Sequence, residues 1–264
     1  MVNHQPNILI VGYGHVGQHL HRHFTSAQWV DVDEVIHDAE GDVVVNPWMK
    51  YDLGFICVPT PGRDDGTCDT SMVRAAYHRW GKYVRYWCLK STVEVGTTES
   101  LGLDICMSPE WYGETLGHPY QDVNREQTII LGGPRHVTEA FAAAWTLVTN
   151  SYSRIIQTTS RAAELSKLME NAWIAVKVSF CNQFYDLARI ADVDWNELRE
   201  LWLLDPRVGR SHTYVYPRNR GWGGKCIPKD TANLCAWARD QGEPATMIEA
   251  VRCYNIWIRG SLPT

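Results

Sequence analysis

A chain of 264 residues exceeds one ordinary domain and falls short of three, so one α/β domain with a helical partner is the natural expectation. With 45% hydrophobic and 21% charged residues it is globular, and a net charge of -5 argues against a nucleic-acid surface, which needs concentrated Lys and Arg. No apolar run suits a transmembrane helix and the polar stretch Met1 to Pro6 does not read as a secretory signal, so a cytoplasmic setting is expected.

The N-terminal half alternates short β-rich runs with helical stretches, the pattern of a doubly wound parallel sheet. Ile8 to Val11 reads as the first strand. It breaks into Gly12-Tyr13-Gly14-His15-Val16-Gly17, and a helix follows from Val16 to Phe24. The apolar runs Leu53–Val58 and Val84–Leu89 read as buried strands, ending in Pro59-Thr60-Pro61 and Lys90-Ser91-Thr92. Ile105–Ser108 and Thr128–Leu131 extend the sheet, and His136–Val148 is a helix. From Arg161 to about Ala191 a three- and four-residue period, including Leu165, Met169, Trp173, Phe180 and Phe184, predicts one long helix of the kind that often forms a dimer core. Lys167 and Asn171 share a face of it, away from the apolar stripe. A helix over Asp194–Leu204, a loop rich in Arg, Tyr and Pro over Asp205–Arg220, and a last helical stretch over Thr231–Trp257 complete the chain.

Eight cysteines include no Cys-x-x-Cys pair, which points to free thiols in a reducing compartment and not to zinc. The 12 tryptophans read as core and interface filler.

Gly12-x-Gly14-x-x-Gly17 stands between a strand and a helix, the context in which glycines admit a dinucleotide pyrophosphate to a helix N-terminus. An acidic residue about 20 positions on should hold the adenosine ribose. Asp38, which ends the run Val35-Ile36-His37, is preferred over Asp33, and no Arg follows either, so NAD is expected and not NADP. His19 and His23 share a helical face at metal-ligand spacing, but no carboxylate or Cys completes a site, so a solvated face and no metal are expected.

A second constellation carries chemistry. Gly223-Gly224-Lys225-Cys226 sets a thiol among backbone amides beside a cation, surroundings that favour the nucleophilic thiolate. Asp230 lies four residues on, and a helix starting near Pro228 would set it under the same site. Glu110 and Glu114 flank a Trp-Tyr-Gly loop after a strand end, the edge where open α/β sheets bind ligands. Singly, each has a plainer reading: a structural Cys, a solvated Lys, exposed loop glutamates.

Taken in order, these segments resemble the UDP-glucose/GDP-mannose 6-dehydrogenase family. The resemblance rests on Val-Gly-Tyr-Gly-His-Val-Gly (11–17), Phe-Ile-Cys-Val-Pro-Thr-Pro (55–61), Lys-Ser-Thr-Val-Glu-Val-Gly-Thr-Thr (90–98) and Ser-Pro-Glu-Trp-Tyr-Gly-Glu (108–114). Ala-Glu-Leu-Ser-Lys-Leu-Met-Glu-Asn-Ala (163–172), Asp-Pro-Arg-Val-Gly (205–209) and Gly-Trp-Gly-Gly-Lys-Cys-Ile-Pro-Lys-Asp (221–230) complete it. It implies a Rossmann-type NAD-binding domain over 1–158 and an all-helical dimerisation domain over 159–264, and a homodimer of two such chains joined through the 161–191 helix.

The implied activity is a four-electron oxidation of a nucleotide sugar's C6 alcohol to the acid, with two NAD and with Cys226 carrying a thiohemiacetal and then a thioester. Lys167 would stabilise the oxyanion, and Asn171 and Asp230 would position and activate water. Thr92 and Glu114 would contact the nicotinamide side and a bound water, with Glu114 a candidate general base. Glu110, Trp111, Arg207, Tyr216 and Gly223 would contact substrate, with Arg207 reaching into the neighbouring subunit. Gly12, Gly14, His15, Val16, Gly17, Asp38, Thr60, Thr92, Glu114 and Lys229 would hold the cofactor.

The sequence departs from the family in three places. It ends at Thr264, where members normally continue into a second Rossmann-like domain that closes over the nucleotide. The stretch from Gly17 to Leu53 is about half the usual length, so sheet-packing helices should be missing there. The approach Tyr216-Pro-Arg-Asn-Arg-Gly-Trp222 replaces a glycine-rich one, and Arg218 and Arg220 are either ligands of a phosphate or carboxylate or solvated loop charges. Two other functions stay open: a non-catalytic binder of NAD or nucleotide sugar, and a two-electron alcohol or hydroxyacid dehydrogenase in which Lys167 and Asn171 move the proton and Cys226 is incidental.

Overall fold

The computed structural model describes residues 5–33, 35–44, 49–111 and 128–260. They fall into two units, Met1–Pro61 with Cys68–Lys167, and Gly62–Thr67 with Leu168–Thr264. By contacts the division falls after Lys167, within a helix; the expected domains 1–158 and 159–264 follow the change of sequence pattern instead.

The first unit is a Rossmann-type α/β sheet in chain order β1 (Ile8–Val11), α1 (His15–His23), β2 (Gln28–Val30), β3 (Ile36–His37), β4 (Tyr51–Ile56), α2 (Ser71–Trp80), β5 (Val84–Leu89), α3 (Thr97–Leu101), β6 (Ile105–Met107), β7 (Thr128–Gly132), α4 (Arg135–Val148) and β8 (Arg154–Thr158). The strands order β3-β2-β1-β4-β5-β6-β7-β8. Successive side chains on β1 point to opposite faces, and both faces are covered. Ile8 and Ile10 pack with Leu20 of α1, with Phe24 just past its end, and with Phe141 and Trp145 of α4. Leu9 and Val11 pack with Val73 and Ala76 of α2.

Two strand pairs depart from a parallel sheet. β2–β3 and β6–β7 are antiparallel. In the first case the short stretch between Gly17 and Leu53 holds a β2–β3 hairpin, where Trp29 is stacked between Tyr13 at 4.0 Å and His37 at 4.1 Å. These rings cover the sheet edge locally.

The histidines of α1 correct an expectation. His19 and His23 are 3% and 9% exposed, not solvated. Their rings face each other at 5.5 Å, and His23 meets the edge of Trp145 at 5.1 Å. The period that suggested a shared metal face is the buried face of an amphipathic helix, on which imidazole acts as a flat packing group.

The second unit is helical. α5 (Ser160–Ile190) runs into it from the first, followed by α6 (Trp195–Trp202), α7 (Cys226–Asp240) and α8 (Thr246–Arg259). The expected helix Thr231–Trp257 is two helices, because Gly242 adopts a left-handed φ of 81° and Pro244 follows. On α5 Lys167 and Asn171 share a face, as expected, and that face is the buried one. They are 7% and 5% exposed, whereas Met169, Trp173 and Phe180 are 70%, 57% and 46% exposed. The buried face carries Ala163, Glu164, Leu168, Ala172 and Ala175 beside Lys167 and Asn171, and several large apolar side chains are left outward.

Candidate active site

In the first unit the carboxyl ends of the strands carry the glycine loop and two tied loops. Gly12 has φ +94°, and a Cβ there would lie 2.8 Å from the Cys57 carbonyl. A Cβ at Gly17 would lie 2.1 Å from the Gly12 carbonyl oxygen. These two glycines close the turn onto the sheet. Nothing lies within 4 Å of a Cβ built at Gly14, so the open side of the loop admits a bulky anion to the first amides of α1, where His15 and Val16 stand. Those residues fit a dinucleotide.

The Gly12 amide donates to the Val30 carbonyl at 2.9 Å, which brings the end of β2 to the loop. The next residue is Asp31, exposed, and sequence reasoning passed over it because β2 has only three residues. Asp38 lies beyond the antiparallel β3. Its carboxylate caps its own turn, accepting the amides of Glu40 at 3.1 Å and Asp42 at 2.8 Å.

The Thr60 hydroxyl donates to the Thr92 carbonyl at 2.7 Å, and the Ser91 hydroxyl to the Val58 carbonyl at 2.6 Å. The buried Cys68 thiol donates to both the Thr60 and Thr92 carbonyls at 3.7 Å. Thr60 and Thr92, both expected at the cofactor, are thus one tied structure. Beside it, the buried Lys90 ammonium donates to the Ser108 hydroxyl at 3.2 Å, at the start of the Ser-Pro-Glu-Trp segment. Burial lifts the Cys57 thiol far above its ordinary range, with Lys90 opposing, and burial lifts Cys106 as well. Neither is a nucleophile.

Lys167 is held by the same segment. Its Nζ lies 3.9 Å from Glu110 Oε1 and 5.1 Å from the centre of the Trp111 ring. A carboxylate and an indole face thus flank this ammonium in a largely buried place. One turn earlier Glu164, quoted above only as part of a motif, accepts the amides of Gly96 and Thr98 and the Thr98 hydroxyl. Glu114 lies outside the described residues.

In the second unit Cys226 is the first residue of α7 and is exposed. Helix α7 thus begins two residues before Pro228. Asp230, one turn on, is 1% exposed. Its Oδ2 accepts from Asn171 Nδ2 at 2.5 Å, and its Oδ1 lies 2.5 Å from Lys229 Nζ, a contact of charge without an aligned hydrogen bond. The segment Gly62–Thr67 packs on this helix, with Gly62 against the Lys229 stem and Gly66 against Ala232 and Ala236. The structure therefore brings together Asn171, Lys229 and Asp230 behind the thiol.

The loop leading to Cys226 is pinned from below. The Trp222 amide donates to Asn255 Oδ1 at 2.8 Å, Asn255 Nδ2 donates to the Trp222 carbonyl at 2.9 Å, and the Trp222 indole donates to Ser179 at 2.9 Å. Arg220 forms a two-pronged pair with Asp186 at 3.0 and 2.9 Å and donates to the Asn182 amide oxygen and carbonyl. It is a strap between loop and α5. Arg218 and Tyr216 are exposed. Arg207 is exposed and binds Asp205 of its own turn, whose carboxyl it holds below the usual range. A Cβ at Gly223 would lie 3.4 Å from the Arg259 guanidinium, so this loop runs beside a cation that sequence reasoning did not single out.

Residues 38–145 match the sequence model of the "UDP-glucose/GDP-mannose dehydrogenase family, NAD binding domain", and residues 161–256 match that of the same family's "central domain". The chain is 31% identical over 220 residues to a UDP-glucose 6-dehydrogenase of Pseudomonas aeruginosa, covering 76% of this chain and 48% of that one. It is 30% identical to the UDP-glucose 6-dehydrogenase AglM of Haloferax volcanii, covering 76% of this chain and 51% of that one. It spans about half the length of the curated relatives it matches. A UDP-glucose dehydrogenase structure from Pyrobaculum islandicum superposes with a TM-score of 0.82 at 24% identity, covering 97% of this chain and 69% of that one, a likeness of fold.

Proposed function

Because the chain belongs to the UDP-glucose/GDP-mannose dehydrogenase family and its first unit carries that family's NAD-binding domain, we propose that it oxidises the C6 alcohol of a nucleotide sugar to the uronic acid through Cys226. The observation that carries the reading is the pair behind the thiol: Asn171 donating to the buried Asp230, one helical turn below an exposed cysteine. A buried carboxylate on a thiol-bearing helix suits the deprotonation of water beside a thioester.

NAD, when bound, accepts a hydride in each of two oxidations. Gly12, Gly14, His15, Val16 and Gly17 would hold it, with Thr60, Thr92 and Lys229, and Asp31 in place of Asp38 for the ribose, since Asp31 stands at the end of β2. Glu114 keeps its expected role beside the cofactor. Cys226 attacks the C6 aldehyde to give a thiohemiacetal, whose oxidation leaves a thioester on sulfur. Asp230, oriented by Asn171, takes a proton from the attacking water. Lys167, placed between Glu110 and Trp111, supplies the positive charge for the oxyanion. Glu110, Trp111, Tyr216, Gly223 and Arg207 remain the proposed sugar-nucleotide contacts.

The outward apolar face of α5, with Met169, Trp173 and Phe180, supports a homodimer through this helix. The test is NADH released per sugar over a panel of UDP- and GDP-sugars. Two per sugar is expected. One per sugar would make this a two-electron dehydrogenase, and binding without NADH would leave a non-catalytic binder.

A further inference from the structure

Helix α7 carries a polar stripe that extends past the thiol and the carboxylate. Cys226, Asp230 and Asn233 stand at positions i, i+4 and i+7, so they share one face over two turns. Burial deepens along it: Cys226 is exposed, Asp230 is 1% exposed and Asn233 is fully buried.

Asn233 is the anomaly. Neither its amide nitrogen nor its amide oxygen has a hydrogen-bond partner among the described residues. A fully buried primary amide without partners is among the least tolerated groups in a protein interior, and Ala would serve a packing role better in mid-helix. Its flank is closed by the Gly62–Thr67 segment, where a Cβ at Gly66 would lie 3.4 Å from the Ala232 carbonyl oxygen. On the thiol side its helical neighbour is Asp230, whose Oδ2 is taken by Asn171 and whose Oδ1 lies 2.5 Å from Lys229 Nζ but accepts no aligned hydrogen bond. The unpartnered Asn233 amide, with this carboxylate oxygen and its remaining lone pair on the same stripe, supplies the two to four polar partners that a bound water needs.

We propose that Asn233 is a positioning residue that holds a water against Asp230, and that this water cleaves the thioester on Cys226. The proposal rests on the thioester reading above. The amide both donates to and accepts from the water, leaving a water proton aimed at the carboxylate. In the step, the water oxygen bonds to the acyl carbon, the carbon–sulfur bond breaks, Cys226 leaves as thiolate, and Asp230 takes the proton. No oxidant enters, since both hydrides have already gone.

The experiment compares wild type, Asn233→Ala and Asn233→Ser in a stopped-flow NADH trace and by intact-mass spectrometry, using whichever UDP- or GDP-sugar the wild type oxidises. Asn233→Ala should release two NADH per chain in a burst, then turn over roughly tenfold more slowly, the scale of one hydrogen bond. The acyl adduct on the thiol should accumulate meanwhile. Asn233→Ser, which keeps one donor and acceptor, should restore part of the slow phase. A structural role would slow the burst and the later phase alike and show no adduct, and that result overturns the inference, as does an unchanged slow phase. A wild type that makes no NADH overturns the reading beneath it as well, while an active wild type with an indifferent Asn233→Ala removes the inference alone.

Discussion

The Glu164 carboxylate takes both donors of Thr98, the amide at 2.8 Å and the hydroxyl at 2.7 Å, while its other oxygen accepts the Gly96 amide at 2.6 Å. A fully buried carboxylate thus bolts the start of α5 to the turn that follows the Lys-Ser-Thr segment. Lys167 stands one turn along the same helix, so the bolt also sets where its ammonium meets Glu110 and Trp111. Glu164→Ala strands two buried donors and one part-buried donor and should destabilise the protein by about 3 kcal/mol, read from urea unfolding. A loss under about 1 kcal/mol would mean that the turn relaxes and satisfies its own amides.

The same group gives stability a pH slope. Burial raises the Glu164 carboxyl above its ordinary 4.5, against the pull of its hydrogen bonds. The native state therefore keeps this proton to higher pH than the unfolded chain does. The contribution is complete below the ordinary value and is lost as pH rises through the raised folded value. Relative to Glu164→Gln, which does not titrate, wild type should lose stability across that window. A difference that stays flat from pH 4 to 7 would contradict it.

Much of this was legible in the sequence, and the failures have physical causes. The strands Ile8–Val11 and Val84–Leu89 read correctly because both faces of a doubly wound sheet are buried and the runs are continuous. The long helix read correctly, but its period did not show which face this chain buries. Periodicity reports where large apolar residues lie, and here Met169, Trp173 and Phe180 are exposed while Glu164, Lys167 and Asn171 are buried. Asp31, the residue proposed above for the ribose, was passed over because a three-residue strand has too few side chains to show a period. The break between α7 and α8 was written in Gly242 and Pro244 and should have been read. No one-dimensional signal distinguishes Glu164 or Asn233 from a solvated residue. Their meaning depends on what surrounds them.

Thiol reactivity separates the cysteines. Cys226 and Cys253 are exposed, Cys57 is partly buried and Cys106 buried with both thiols raised, and burial pushes Cys181 up to about 11. Iodoacetamide at neutral pH should label two sites in the native protein, and Cys226→Ser should remove one of them. The same variant should form no adduct with sugar and no uronic acid. Fast labelling of Cys57 would show that the sheet core opens readily.

Arg220 discriminates between the two readings of its loop. Its guanidinium grips Asp186 and Asn182 and lies 4.7 Å from the centre of the Tyr185 ring. A half-buried, two-pronged pair of this kind holds chain to chain, and its geometry needs a planar fork. Arg220→Lys should therefore lower stability by about 1–2 kcal/mol in urea unfolding, and Arg220→Ala by somewhat more. Nucleotide-sugar affinity, measured by calorimetry well below the melting point, should change less than about threefold, because a hydrogen-bonded phosphate contact would be worth roughly tenfold or more. A large loss of affinity with stability intact would make Arg220 a ligand of the nucleotide instead of the strap that carries Trp222 and the thiol.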